Sequence, residues 1–168
     1  MAIAAVKIMY LEKSQPCLQT QLLEHIQLLL YSFHHWTGDT LLTIPNYQSP
    51  LEIADSLFNA NFVVVSHGSQ ADPILNYGNQ KALDLWKMDW HTFISTPSRY
   101  TAEVMELSER EQLLAQAKSQ GYISNYRGIR IASTGDRRIL TLQSHAIVQS
   151  RQIKLHLPHI FRQKLPNL

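Results

Sequence analysis

With 168 residues, 45% of them hydrophobic and 17% charged, the chain can build one domain with a real core and is neither disordered in bulk nor highly charged. A formal net charge of +2 argues against a nucleic-acid partner, since phosphate binding gathers lysine and arginine on one face; only the C-terminal third leans basic, with Arg127, Arg130, Arg137, Arg138, Arg151, Lys154, Arg162 and Lys164. Cys17 is the single cysteine, which excludes an internal disulfide and a cysteine-based zinc cluster and fits a reducing cytosol.

Residues 1–17, beginning MAIAAVKIMYLEK, lack the basic leader and small-residue cleavage site of a signal peptide. No apolar run approaches the roughly 18 residues of a membrane span. A soluble, cytoplasmic protein is expected. From Leu18 to Trp36 no glycine or proline interrupts leucines at helical spacing, and Thr37, Gly38 and Asp39 supply the stop. Leu22, Ile26, Leu29, Phe33 and Trp36 form one apolar stripe of that helix. Leu23 and Leu30 fall outside it and suggest a homodimer packed helix to helix across a twofold axis. The alternative is that the apolar loop from Leu41 to Tyr47 folds back over them within one chain. A second, short helix is expected in SPLEIADSLFNA, with Pro50 in its first turn.

Phe62 to Val65 is β-branched and apolar, as a buried strand requires, and HGSQADP is dense in turn formers, so Ile74 to Tyr77 is predicted to return antiparallel. Asn79 is placed to cap the helix QKALDLW. Loops and short helical pieces follow. The stretch SEREQLLAQAKSQG reads as a longer helix, with Ser108 as cap, Glu111 in capping-box position and Gly121 as terminator. YISNYRGIRIAS and RRILTLQSHAIV, joined by TGD, read as a hairpin.

A hairpin running into an asparagine-capped helix, then a connecting helix and a terminal hairpin, resembles the PAS fold. More specifically, FVVVSHGSQADPILNYGNQKALDLWKMDW, TPSRYTAE and GYISNYRGIRIASTGDRR look like the MEKHLA domain, a PAS-related family, over about Leu22 to Val148. The resemblance implies an α+β architecture: a five-stranded antiparallel sheet with helices on one face, plus an N-terminal helical extension at 18–60. It places the domain at 61–157 and a C-terminal tail at 158–168. The fifth strand, about 152–157, is stopped early by Pro158. A role in sensing or protein interaction is implied, without a ligand.

Ser66 and His67 are neighbours on a strand, so they point to opposite faces and cannot pair as nucleophile and base; no G-x-S-x-G elbow is present. His67 with Asp72 could close the turn. The eight histidines lack the spacing of a helical metal pair, and no metal is expected. A haem-binding PAS domain would offer a histidine from its connecting helix, and Ser108 to Gln120 has none. A photoactive flavin domain would need a cysteine in TPSRYTAE, so covalent flavin chemistry is disfavoured, while a noncovalent flavin or another planar ligand stays open. The elements that wall a PAS cavity carry His67, Asn76, Tyr77, Trp86, Trp90, Tyr122, Tyr126 and Arg130 as candidate ligand-lining residues. Plain core packing is the alternative, favoured for Trp86 and Trp90. Arg99 could pair with Glu103 on the next turn, and a plain loop salt bridge is the favoured alternative. Three readings follow: a non-catalytic PAS-like module binding a small ligand or protein partner, an interaction domain with a filled core, and a hydrolase using Ser66 and His67.

Overall fold

The computed structural model describes residues 16–43, 49–68, 70–103, 107–120, 122–123, 127–141, 147–148 and 161–164. In chain order these are α1 (Pro16–Thr37), α2 (Pro50–Phe58), β1 (Phe62–His67), β2 (Leu75–Gly78), α3 (Gln80–Trp86), α4 (Trp90–Phe93), a 3₁₀ turn (Ser98–Thr101), α5 (Leu107–Gln120), β3 (Tyr122–Ile123), β4 (Arg127–Ile131), β5 (Arg137–Thr141), β6 (Ile147–Val148) and β7 (Phe161–Lys164).

Local chemistry sets most of the helix ends. Gly38 takes φ +73° and its amide donates to the His34 carbonyl, which closes α1 in left-handed backbone. Ser49 and Glu52 form a reciprocal capping box on α2, ahead of Pro50. Asp89 caps α4 by accepting from the Thr92 amide at 2.9 Å, which gives the aspartate of the MDW string a structural task. Ser108 does not cap α5. That helix begins one residue earlier, at Leu107, so Ser108 lies inside its first turn.

β1 is the centre of a three-stranded antiparallel sheet ordered β2-β1-β7, and it is buried on both faces, as its unbroken apolar run requires. Phe62 and Val64 join Ile26, Leu29 and Phe33 of α1, Leu41, Ala54, Leu57 and Tyr77 in one core. Val63 and Val65 face the other way, into a second core with Phe58, Leu75, Ala82, Leu83, Trp86 and Phe93. Helices therefore cover both faces, α1 on one and α3 with α4 on the other. Leu23 and Leu30 are half-buried against the first core, alongside Leu41 and Leu42, so part of the surface assigned to a dimer contact is covered within the chain.

Two features depart from the sequence reading. The β1–β2 register pairs Ser66 with Tyr77 and His67 with Leu75, leaving Asn76 as a bulge. The extra residue turns Leu75 and Tyr77 to opposite faces, although they sit two apart. The strand expected at about 152–157 lies outside the described residues, and the free edge of β1 is taken by Phe161–Lys164, inside the stretch assigned to a tail. These residues bring Phe161 opposite Val65 and Lys164 opposite Phe62. The other described strands form two-stranded ladders, β4 with β5 and β3 with β6, so one continuous five-stranded sheet is not seen among the described residues. The β4–β5 hairpin turns at Gly135, φ +83°, within the TGD motif.

Candidate functional site

Ser66 and His67, adjacent in sequence, enter different layers. Ser66, fully buried, faces α1, where His25 Nε2 lies 3.0 Å from its hydroxyl oxygen. The serine hydroxyl donates to Asn76 Oδ1 at 2.6 Å. Its one proton is thereby used, and His25 must donate to Ser66, the reverse of what a general base does. No substrate reaches a fully buried oxygen, and nothing in this arrangement activates it. Burial drives the His25 pKa down to about 4, so the imidazole stays neutral in this contact.

His67 faces the opposite side and lines a cavity of about 110 Å³ with Val65, Leu75, Trp86, Ser98, Thr101, Ala102 and Arg130. Its Nδ1 lies 2.7 Å from the Gly68 carbonyl, an acceptor only, so Nδ1 carries a proton; burial lowers its pKa, against a smaller opposing effect of that bond. Trp86 presents one indole wall, fixed because Nε1 donates to the Thr101 carbonyl at 3.0 Å and the ring meets Phe93 edge to face. The 3₁₀ turn is braced by Thr101 donating to the Ser98 carbonyl at 2.7 Å. Arg130 comes from β4, where Ala102 bridges to it and the Glu103 amide donates to the Ile129 carbonyl at 3.2 Å, so the turn and the hairpin close over the cavity together.

Of the candidate lining residues, His67, Trp86 and Arg130 meet here. Asn76 is the exposed bulge residue that holds Ser66, and Tyr77 is turned to the α1 face, where burial pushes its phenol far above the usual pKa and its hydroxyl has no partner among the described residues. Trp90 packs edge to face on Tyr77 at 5.9 Å, between the two cores and away from the cavity. Tyr126 lies outside the described residues, as does the Tyr122 side chain. The loop salt bridge favoured for Arg99 is present, with Asp72 and not Glu103 as its partner. Arg99 also stacks on Tyr100, while Glu103 pairs with Arg137. Asp72 is thus held by Arg99, and His67 closes on a backbone carbonyl instead. Val65 could have been found, two residues before His67 on the same strand face. Thr101, Ala102 and His25 carry no such sequence signal, because their placement depends on how the turn and α1 dock.

The noncovalent flavin left open by the sequence does not fit this cavity. A cavity of roughly 150 Å³ holds a single benzene ring, and three fused rings need far more. The only cysteine, Cys17, stands in the first turn of α1.

The fold is of the PAS and light-oxygen-voltage type: an RNA-binding light-oxygen-voltage receptor superposes with a TM-score of 0.55 at 15% identity, over 76% of this chain and 36% of the receptor. This chain thus corresponds to little more than a third of that receptor's length. A light-oxygen-voltage domain of a blue-light activated histidine kinase from Erythrobacter litoralis superposes at TM-score 0.45 and 13% identity, over 62% of this chain and 97% of the domain. A light-oxygen-voltage domain described with a flavin analogue gives 0.45 at 15% identity, over 68% and 85%. The MEKHLA domain family matches residues 23–148, three quarters of the chain, and the protein belongs to that family. No curated protein matches it.

Proposed function

We propose that the chain is a non-catalytic, PAS-like sensory or regulatory module that binds a small molecule in the cavity and transmits occupancy to α1 through β1. One observation carries this reading: Ser66 and His67 are consecutive, one bonded to α1 and the other on the cavity wall, so a shift at one is felt at the other through a single peptide unit. In this reading β2, β1, β7 and the β4–β5 hairpin are the five strands of one antiparallel sheet. Cytoplasmic location belongs to the same proposal, as does homodimerisation through the exposed parts of Leu23 and Leu30. No helix among the described residues is long and apolar enough to cross a membrane. RNA binding is named for a receptor of which this chain covers 36% and is not proposed here. Lys87, Arg99 and Arg137 are each ion-paired, to Asp136, Asp72 and Glu103.

Native mass spectrometry and absorption of the freshly purified protein test the proposal. A small-molecule adduct is expected in the wild type and is lost in Ala102→Leu, which fills the cavity. A wild type free of adduct, with unfolding behaviour identical to that of a stably folded Ala102→Leu across a metabolite-sized compound library, favours the interaction domain with a filled core.

A further inference from the structure

A molecule that binds in the cavity needs a way in, and the described walls differ in how firmly they are held. β1 lies between two cores, with Phe62 and Val64 packed in one and Val63 and Val65 in the other, so moving it opens both. α3 places Ala82, Leu83 and Trp86 in the second core and is tied to β1 by the fully buried amide of Asn79. β4 is held by a five-residue ladder with β5, and beyond it the Ser133 amide and hydroxyl donate to the Trp86 and Lys87 carbonyls at 2.9 and 2.7 Å. Displacing any of these brings apolar core into water or breaks several hydrogen bonds at once.

The segment 96–103 is different. It supplies Ser98, Thr101 and Ala102 to the cavity, yet none of its residues belongs to either core among the described residues. At one end the Leu75 amide donates to the Thr96 carbonyl at 3.0 Å and the Ser98 amide to the Pro73 carbonyl at 2.8 Å, with Arg99 ion-paired to Asp72. At the other, Ala102 bridges to Arg130, the Glu103 amide donates to the Ile129 carbonyl, and Glu103 is ion-paired to Arg137. Between the ends the Trp86 indole donates to the Thr101 carbonyl. Both ion pairs are open to water, with the Arg99 and Arg137 side chains 53% and 63% exposed, and such pairs stabilise little and weaken with salt. This segment therefore opens more easily than the other described walls, and binding lids are drawn from such weakly held segments. Resting on the cavity reading above, we infer that 96–103 is the gate through which a small molecule enters and leaves, lifting from β2 and β4 while β1, α3 and the hairpin stay in place.

Thiol labelling tests the gate without a ligand. In the full chain carrying Cys17→Ser, Val65→Cys places a single thiol on the buried cavity wall, and its reaction with methyl methanethiosulfonate reads the opening that admits the reagent. Labelling is expected to be roughly 100-fold slower than that of free cysteine. It is expected to quicken about five-fold when Arg99→Ala and Arg137→Ala release both ends, with the urea midpoint nearly unchanged. Lys87→Ala, which breaks the exposed pair with Asp136 between α3 and the hairpin turn, is expected to leave the rate as it was. A rate that ignores the two arginine changes, that responds equally to Lys87→Ala, or that equals the rate of global unfolding overturns the gate. If circular dichroism shows that Val65→Cys does not fold, amide exchange in the wild type decides: the Ser98 and Glu103 amides are expected to exchange about ten-fold or more faster than those of β1 and α3, and equal rates overturn the gate. Neither measurement uses a ligand, so the gate can fail while the purified protein still carries an adduct, and a missing adduct beside gated labelling counts against the ligand reading alone.

Discussion

Asn79 shows how much one side chain can hold. Its Oδ1 accepts from the Ala82 amide at 3.1 Å, the helix cap that the sequence suggests, and also from the Val64 amide at 3.0 Å. Its Nδ2 donates to the Phe62 carbonyl at 2.6 Å, so one fully buried amide ties α3 to the central strand. A cap alone is worth about 1 kcal/mol. Asn79→Ala leaves buried backbone groups unpaired as well, and the expected loss is about 3 kcal/mol, read as a shift in the urea midpoint. A loss of only about 1 kcal/mol would mean that water replaces the other bonds. Gly78 has a different reason: a methyl there would sit 2.5 Å from the ring of Phe93, which is fully buried. Gly78→Ala is expected to cost about 1–3 kcal/mol through overpacking, by the same measurement. Ser66 is expected to resist a fluorophosphonate probe in the folded protein, and labelling there would reopen the hydrolase reading. The asparagine cap was legible in the sequence because capping is local, but the bonds to Phe62 and Val64 were not, since they join residues about fifteen or more apart that only the folded chain brings together.

At the scale of elements, α1 meets the sheet through a polar contact set in an apolar layer. The unfolded chain binds a proton at the ordinary histidine pKa near 6.5, whereas folded His25 does so only at about 4. Between those values the proton favours the unfolded state. Stability from this site is therefore full above about pH 6.5 and falls as the pH drops toward 4, by up to about 3 kcal/mol. Urea unfolding of the wild type at pH 7 and pH 4.5 should show that loss, and His25→Gln, which keeps a donor for Ser66, should show a smaller one; equal losses would place the acid sensitivity elsewhere. The helix itself was plain from its leucine spacing, and so were the two hairpins from their turn residues. The bulge at Asn76 was not: its cause is the mismatch between two paired strands, and it moved Tyr77 from the expected cavity to the α1 face.

For the whole molecule, composition and motif placed the chain in its family and its α+β class, yet the layering of the sheet depended on docking. Strand β7 comes from a segment whose sequence, interrupted by Pro158, gave no expectation of pairing with β1. The homodimer proposal has a direct check, because a light-scattering mass near the 19.3 kDa of one chain at micromolar concentration rejects it, whereas twice that mass reverting in Leu23→Glu/Leu30→Glu supports it. The central claim is that the cavity and α1 are coupled across β1. Amide hydrogen exchange along Pro16–Thr37, compared between the wild type and the cavity-filling Ala102→Leu, tests it most directly. Coupling across β1 alters exchange in α1 around His25 as well as at the cavity rim; exchange that changes only around the rim, with α1 identical in the two proteins, would rule the coupling out.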